Sequence, residues 1–186
     1  MRVNLGCGRD YREGWVNVDH PRAETRHDLS WDFEDPTSCP FHEDEVGEWE
    51  GSHVLEHLDN PLGFMAALYE ASTPDAIAYF RLPYGSSDDA WEDPTHKRPY
   101  FMRSFGYFSQ PFYWRADYGY RGDWLTELVT LVVEPAMAEL EHDELVAALA
   151  HERNVIKEMH VRLRAVKPAR EARPGLQEAP RVEFAR

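Results

Sequence analysis

The sequence predicts an α/β fold: a mostly parallel sheet to which the C-terminal half adds two of seven strands. Three observations predict it. Short apolar strands alternate with turns or helices through the first half of the chain. A Gly-x-Gly turn breaks the first strand, and an acidic residue ends the second. The C-terminal half then changes to a strand–helix–strand pattern.

Taken in order, residues 2–5 read as the first strand, breaking into Gly6-Cys7-Gly8. Residues 15–19 form a second strand ending on Asp19, and residues 25–29 a weaker third. A turn-rich acidic stretch runs through Pro36 and Pro40, and residues 48–52 lead into a fourth strand edge at 53–55. Asn60-Pro61 signals a helix start, with Asn as cap and Pro at the first helical position. Leu62, Met65, Ala66 and Tyr69 follow at helical spacing. Residues 76–82 are a fifth strand, closed by Pro83 and the Gly85-Ser86-Ser87 loop. Two further strands are expected at 125–133 and 159–166. Between them a helix over 136–153 carries Met137, Leu140, Leu145 and Leu149 on one stripe. From Lys167 onward Pro, Arg, Glu and Ala dominate, so a single domain is expected over 1–167 and a disordered tail over 168–186.

Composition narrows the function. At 186 residues the chain holds one domain with a full core. No stretch approaches the ~18 apolar residues of a membrane span, and Met1-Arg2 run straight into Val3-Asn4-Leu5 without a signal-peptide pattern. A cytoplasmic location is therefore expected, with no membrane partner. Acidic residues outnumber basic ones 34 to 20, which disfavours duplex nucleic acid, whose binding relies on a basic face. Cys7 and Cys39 are too few for a disulfide framework or a cysteine-based zinc site.

The Gly6-x-Gly8 turn lets the backbone approach a ligand, and an acid at the tip of the next strand accepts hydrogen bonds from ribose hydroxyls. A dinucleotide fingerprint needs a third glycine where this chain has Tyr11. S-adenosylmethionine, which carries no phosphate, has no such requirement.

Residues 3–8 (Val-Asn-Leu-Gly-Cys-Gly) and 14–19 (Gly-Trp-Val-Asn-Val-Asp) together resemble the opening of small class I S-adenosylmethionine-dependent methyltransferases. So do His27-Asp28-Leu29, the run Ser52-His53-Val54-Leu55-Glu56-His57-Leu58, and Asp93-Pro94-Thr95-His96-Lys97-Arg98. The likeness runs in order from residue 2 to about residue 110. It implies a Rossmann-like methyltransferase fold whose C-terminal strand pair is antiparallel, S-adenosyl-L-methionine as cofactor and methyl transfer as the activity. Gly6, Cys7 and Gly8 would line the methionine moiety, Asp19 would hold the ribose, and Asp28 with the Leu29 amide would contact the adenine. Ser52 or His53 would face the cofactor cleft. Two positions depart from the pattern: Asn4 replaces the acid that often precedes the glycine turn, and Thr73-Pro74-Asp75-Ala76 replaces the usual Lys-Pro-Gly-Gly turn. The link between strands one and two is also short, with room for a single helical turn.

Two rival readings stay open. One is a catalytically silent methyltransferase-like domain that binds a partner. The other is a zinc hydrolase, because His53, Glu56 and His57 fit the H-x-x-E-H pattern. That pattern needs a long helix, which the helix start at Asn60 opposes.

On the acceptor side, Asp93 and His96 are candidates for a general-base pair, or alternatively for a turn in which Asp93 caps Thr95. Eleven aromatic residues fall between 100 and 124, so residues 84–124 are expected to form a substrate loop or lid. A few of its rings would stack a small molecule or an exposed nucleobase.

Overall fold

The structure, a computed structural model, describes residues 1–186. Eight strands form one sheet: β1 (Arg2–Leu5), β2 (Val16–Asp19), β3 (Leu29–Ser30), β4 (Val46–Ser52), β5 (Ser72–Pro83), β6 (Trp124–Val133), β7 (Ile156–Ala165) and β8 (Arg181–Ala185). Their spatial order is β3-β2-β1-β4-β5-β7-β6-β8. The first five strands pair in parallel, and β7 runs antiparallel to both β5 and β6. The parallel sheet and its antiparallel C-terminal pair match the expected class. The eighth strand was not expected. It lies in the segment read as a disordered tail, where Val182 and Phe184 alternate with polar neighbours, and it pairs in parallel with β6.

Three α-helices accompany the sheet: α1 (Pro61–Ala71), α2 (Asp89–Glu92) and α3 (His142–His151). The start of α1 is as the sequence signals, with the Gly63 amide donating to Asn60 Oδ1 at 3.0 Å and Pro61 opening the helix. Its buried stripe is Phe64, Met65, Leu68 and Ala71. Leu62, Ala66 and Tyr69 lie at its margin. Helix α3 is shorter than 136–153 because Glu141 and Glu144 form a reciprocal capping box that fixes its start. Strand β5 starts at Ser72 and not at 76, so the stretch expected as a turn before it lies inside the strand, as an irregularity in the β4–β5 register with Asp75 at φ +60°.

Between β1 and β2 there is no helical turn. Asn4 and Asn17 hold the link instead: Asn4 Nδ2 donates to the Asp10 carbonyl at 2.7 Å and to Asn17 Oδ1 at 3.1 Å. The Arg12 amide donates to Asn17 Oδ1 at 2.8 Å, and Asn17 Nδ2 donates to the carbonyls of Arg12 and Trp15. With that helix missing, the sheet has one apolar face and one polar face. On β5, Ala76, Ala78, Phe80 and Leu82 are buried, whereas Ile77 and Tyr79 are partly exposed and Arg81 is exposed. Strand β7 repeats the alternation with Met159, Val161 and Leu163 inside. The buried face packs on α1, α3 and the aromatic segment, with Trp31, Trp49, Trp124, Phe64 and Phe105 fully enclosed.

Candidate functional site

The strand order reverses between β1 and β4, the place where open α/β sheets bind ligands at the carboxyl ends of their strands. Leu5 is in register with Val18 on one side and Gly51 on the other. The next residue on each strand, Gly6, Asp19 and Ser52, therefore lines up along that edge. Gly6 and Gly8 adopt φ +59° and +50°, a region glycine enters without strain. The Gly8 amide donates to Asp19 Oδ2 at 2.7 Å, and the His20 amide to Oδ1 at 2.7 Å. Oδ2 also faces the Cys7 thiol at 3.7 Å, so Oδ1 keeps a second lone pair for another donor. Cys7 is buried, and burial followed by the charge of Asp19 pushes its thiol up to about 11.

No family model matches the sequence, and no curated protein matches it. Solved structures do. A SAM-dependent methyltransferase from Archaeoglobus fulgidus superposes with a TM-score of 0.60 over 87% of this chain and 84% of its own, at 16% identity. Another from Thermotoga maritima gives a TM-score of 0.56 over 89% and 81%, at 10% identity. The YcgJ protein of Bacillus subtilis gives 0.51 over 89% and 90%, at 9% identity. The chain has the Rossmann-like methyltransferase fold.

Within that methyltransferase fold the other predicted site residues take up distinct positions. Asp28 stands just before β3. Its Oδ2 accepts from the Asn17 amide at 2.7 Å and Asn17 Nδ2 at 3.0 Å, and its Oδ1 from the Tyr11 hydroxyl at 2.8 Å. These bonds, the Asn17 amide first, lower its pKa. Leu29 is exposed on the short β3. His53 follows Ser52 with φ +55°, a left-handed conformation uncommon for a side-chain-bearing residue. Its Nδ1 lies 3.1 Å from Glu56 Oε1 and its Nε2 3.2 Å from Glu158 Oε1, and the pair with Glu56 is the main cause that raises its pKa.

A cavity of about 660 Å³ opens beside His53, lined also by Pro83, Asp93, His96, Lys157 and Glu158. Asp93 and His96 are thus brought together, but Asp93 Oδ2 and His96 Nε2 stand 3.9 Å apart, beyond hydrogen-bond length. Asp93 Oδ1 instead accepts from the Thr95 amide at 2.8 Å and its hydroxyl at 2.6 Å, and these bonds lower its pKa. The capping turn is therefore present.

Glu158 at the start of β7 went unnoticed in the sequence, since nothing local marks it. It contacts Arg81, His160 and His53. Burial pushes its pKa up, but the bonds from His160 and Arg81 outweigh burial and leave it lowered.

The H-x-x-E-H segment is not one helix. Strand β4 ends at Ser52, and residues 55–57 make a single 3-10 turn. The side chains that converge are Glu56, His57 and His96, whose ligand-type atoms all lie within 4.8 Å of one another. The aromatic segment divides. Tyr84 and Tyr100 bridge at the carboxyl edge, whereas residues 109–123 descend toward the start of β6, where Trp124 faces Ala165 at the end of β7. The exposed rings of Trp114 and Tyr118 lie there, together with Arg115 and Gln177 of the C-terminal segment.

Proposed function

We propose that this chain binds S-adenosylmethionine along the edge formed by Gly6–Gly8, Asp19 and Ser52, and transfers its methyl group to a small polar acceptor in the adjoining cavity. One observation carries the reading: three neighbouring strands end together at the reversal point of the sheet, and His53 joins that edge to the 660 Å³ cavity. The donor set fits the cofactor. Asp19 Oδ1 offers a spare lone pair to a ribose hydroxyl, the glycine turn allows close backbone approach, and Asp28 with the Leu29 amide borders the adenine side. The acidic character of this edge suits a ligand with a sulfonium and an ammonium group.

The cofactor supplies an activated methyl group; the chain aligns the acceptor and removes its proton. His53 stands between the two sites, and its imidazole receives that proton, with Glu158 orienting the ring. Asp93 and His96 shape the same cavity wall. Asp89, Glu92, Asp93 and Glu158 against a single lysine favour an acceptor bearing an amine or several hydroxyls. The outward aromatic rings at the opposite edge are not part of this pocket.

Calorimetry with S-adenosylmethionine and S-adenosylhomocysteine tests the proposal. Both ligands are expected to bind, and Asp19→Ala should weaken them by about 10- to 100-fold, the loss of one or two hydrogen bonds to a charged group. His53→Ala should lower turnover while leaving cofactor affinity intact. If neither ligand binds, the silent binding-domain reading replaces this one.

A further inference from the structure

We propose that Glu56, His57 and His96 form a binding site for a transition-metal dication of the zinc class. The site lies between the 3-10 turn that follows β4 and the loop that follows α2, and it is independent of cofactor binding.

Glu56 supplies the first argument. It is 2% exposed, and neither carboxylate oxygen has a hydrogen-bond partner. His53 Nδ1 stands 3.1 Å from Oε1, but the same ring also faces Glu158, so one imidazole is shared between two carboxylates. An ionised carboxylate held this far from water is costly unless a positive charge is close to it.

The second argument comes from the two imidazoles. The Thr95 hydroxyl donates its proton to Asp93 Oδ1 at 2.6 Å. Its contact with His57 Nδ1 at 3.0 Å therefore has the ring nitrogen as donor. His96 Nδ1 lies 3.3 Å from the Ala90 carbonyl, which can only accept. Each ring thereby carries a hydrogen on Nδ1, so that in the neutral imidazole Nε2 is the atom free to ligate. The two imidazoles and the carboxylate converge, one ligand-type atom of each lying within 4.8 Å of the others.

This is the donor set of zinc-class ions. A ligating histidine that donates its other ring N–H to an oxygen is the usual outer-shell arrangement of such sites. Ligands of tetrahedral zinc stand about 3.3 Å apart, from bonds of roughly 2.0 Å. The ligand-type atoms lie within 4.8 Å of one another, so binding would draw the three side chains together. Bound there, the ion neutralises Glu56 and pins loop 93–97 to the end of β4, fixing one wall of the 660 Å³ cavity.

The test uses the full chain, stripped with a chelator, desalted, and titrated with zinc chloride and cobalt chloride. One equivalent of each should bind, cobalt should show the visible absorption of a four-coordinate site, and zinc should raise the melting temperature. His57→Ala and His96→Ala should each weaken zinc at least 100-fold. Thr95→Val, which keeps every ligand but removes the partner of His57, should weaken it about 10-fold. Should the histidine variants unfold, the near-isosteric Glu56→Gln and Thr95→Val carry the same test. Failure of the wild-type chain to bind either metal at micromolar concentration overturns the proposal and leaves a protonated His53 as the counter-charge of Glu56. Binding undiminished in all four variants overturns it equally. None of these readouts depends on S-adenosylmethionine.

Discussion

Gly6 and Cys7 are neighbours under opposite constraints. A Cβ on Gly6 would come within 2.8 Å of Val54 Cγ2, at a φ that already disfavours side chains, so the position excludes bulk. Cys7 turns its side chain inward between Asp19 and the Arg26 carbonyl, with Sγ 3.7 Å from each. Burial and the adjacent carboxylate both disfavour the thiolate, which is why the pKa rises from an ordinary 9.0 to about 11. Because the folded value lies above the unfolded one, the associated stability is complete below pH 9 and is lost as pH climbs toward 11. In a Cys39→Ser background, alkylation of Cys7 by iodoacetamide should stay slow through pH 9 and accelerate only toward pH 11. A midpoint near that of a free thiol would contradict this account. The glycine turn and Asp19 were legible in the sequence because they are local: a strand, two glycines and an acid at the next strand tip. Asn17, Glu158 and the convergence of His96 on Glu56 were not, since each depends on segments the fold brings together from far along the chain.

The segment after Lys167 marks where sequence reading stops at the level of elements. Its composition resembles a disordered tail, yet one residue decides otherwise. Asp123 is fully buried, and Arg170 meets it with its backbone amide at 2.9 Å, Nε at 2.9 Å and Nη2 at 3.0 Å. The Ser109 hydroxyl and the Gln110 amide also donate to Asp123. This node joins the aromatic segment, the start of β6 and the C-terminal segment, which then reaches β6 and pairs as β8. No local pattern reveals that pairing, whereas α1 was legible from its cap and proline, and β5 to β7 as apolar stretches. Removing one partner of a buried ion pair leaves the other uncompensated, at a cost of about 3–5 kcal/mol. Arg170→Ala should lower unfolding stability by that amount in urea titration. Arg173→Ala, whose pair with Glu171 is exposed, should change it by no more than about 0.5 kcal/mol. Equal effects in the two variants would refute the role given to Arg170.

At the scale of the molecule, the absent helix between β1 and β2 and the polar sheet face belong together. Parallel sheets are normally covered on both sides; here one side meets water and carries charge instead. Arg162 and Arg164 both pair with Glu127, Arg164 also reaches Asp75, and Arg81 pairs with Glu158. The sequence showed the class of sheet but not this bare face, because alternation along one strand does not say whether another layer covers its polar side. These pairs are mostly half-exposed, so each contributes little, about 0–1 kcal/mol. Against them stands a net charge of −14, whose self-repulsion opposes the compact state. Salt screens both, with a Debye length falling from about 10 Å at 0.1 M to about 3 Å at 1 M. Short pairs are screened less than repulsion spread over the whole surface, so the balance favours stabilisation. The melting temperature should therefore rise when potassium chloride is increased from 0.05 to about 1 M, the range over which the Debye length collapses. A fall over the same range would mean that the ion pairs of the open face, and not the summed repulsion, govern the stability of this fold.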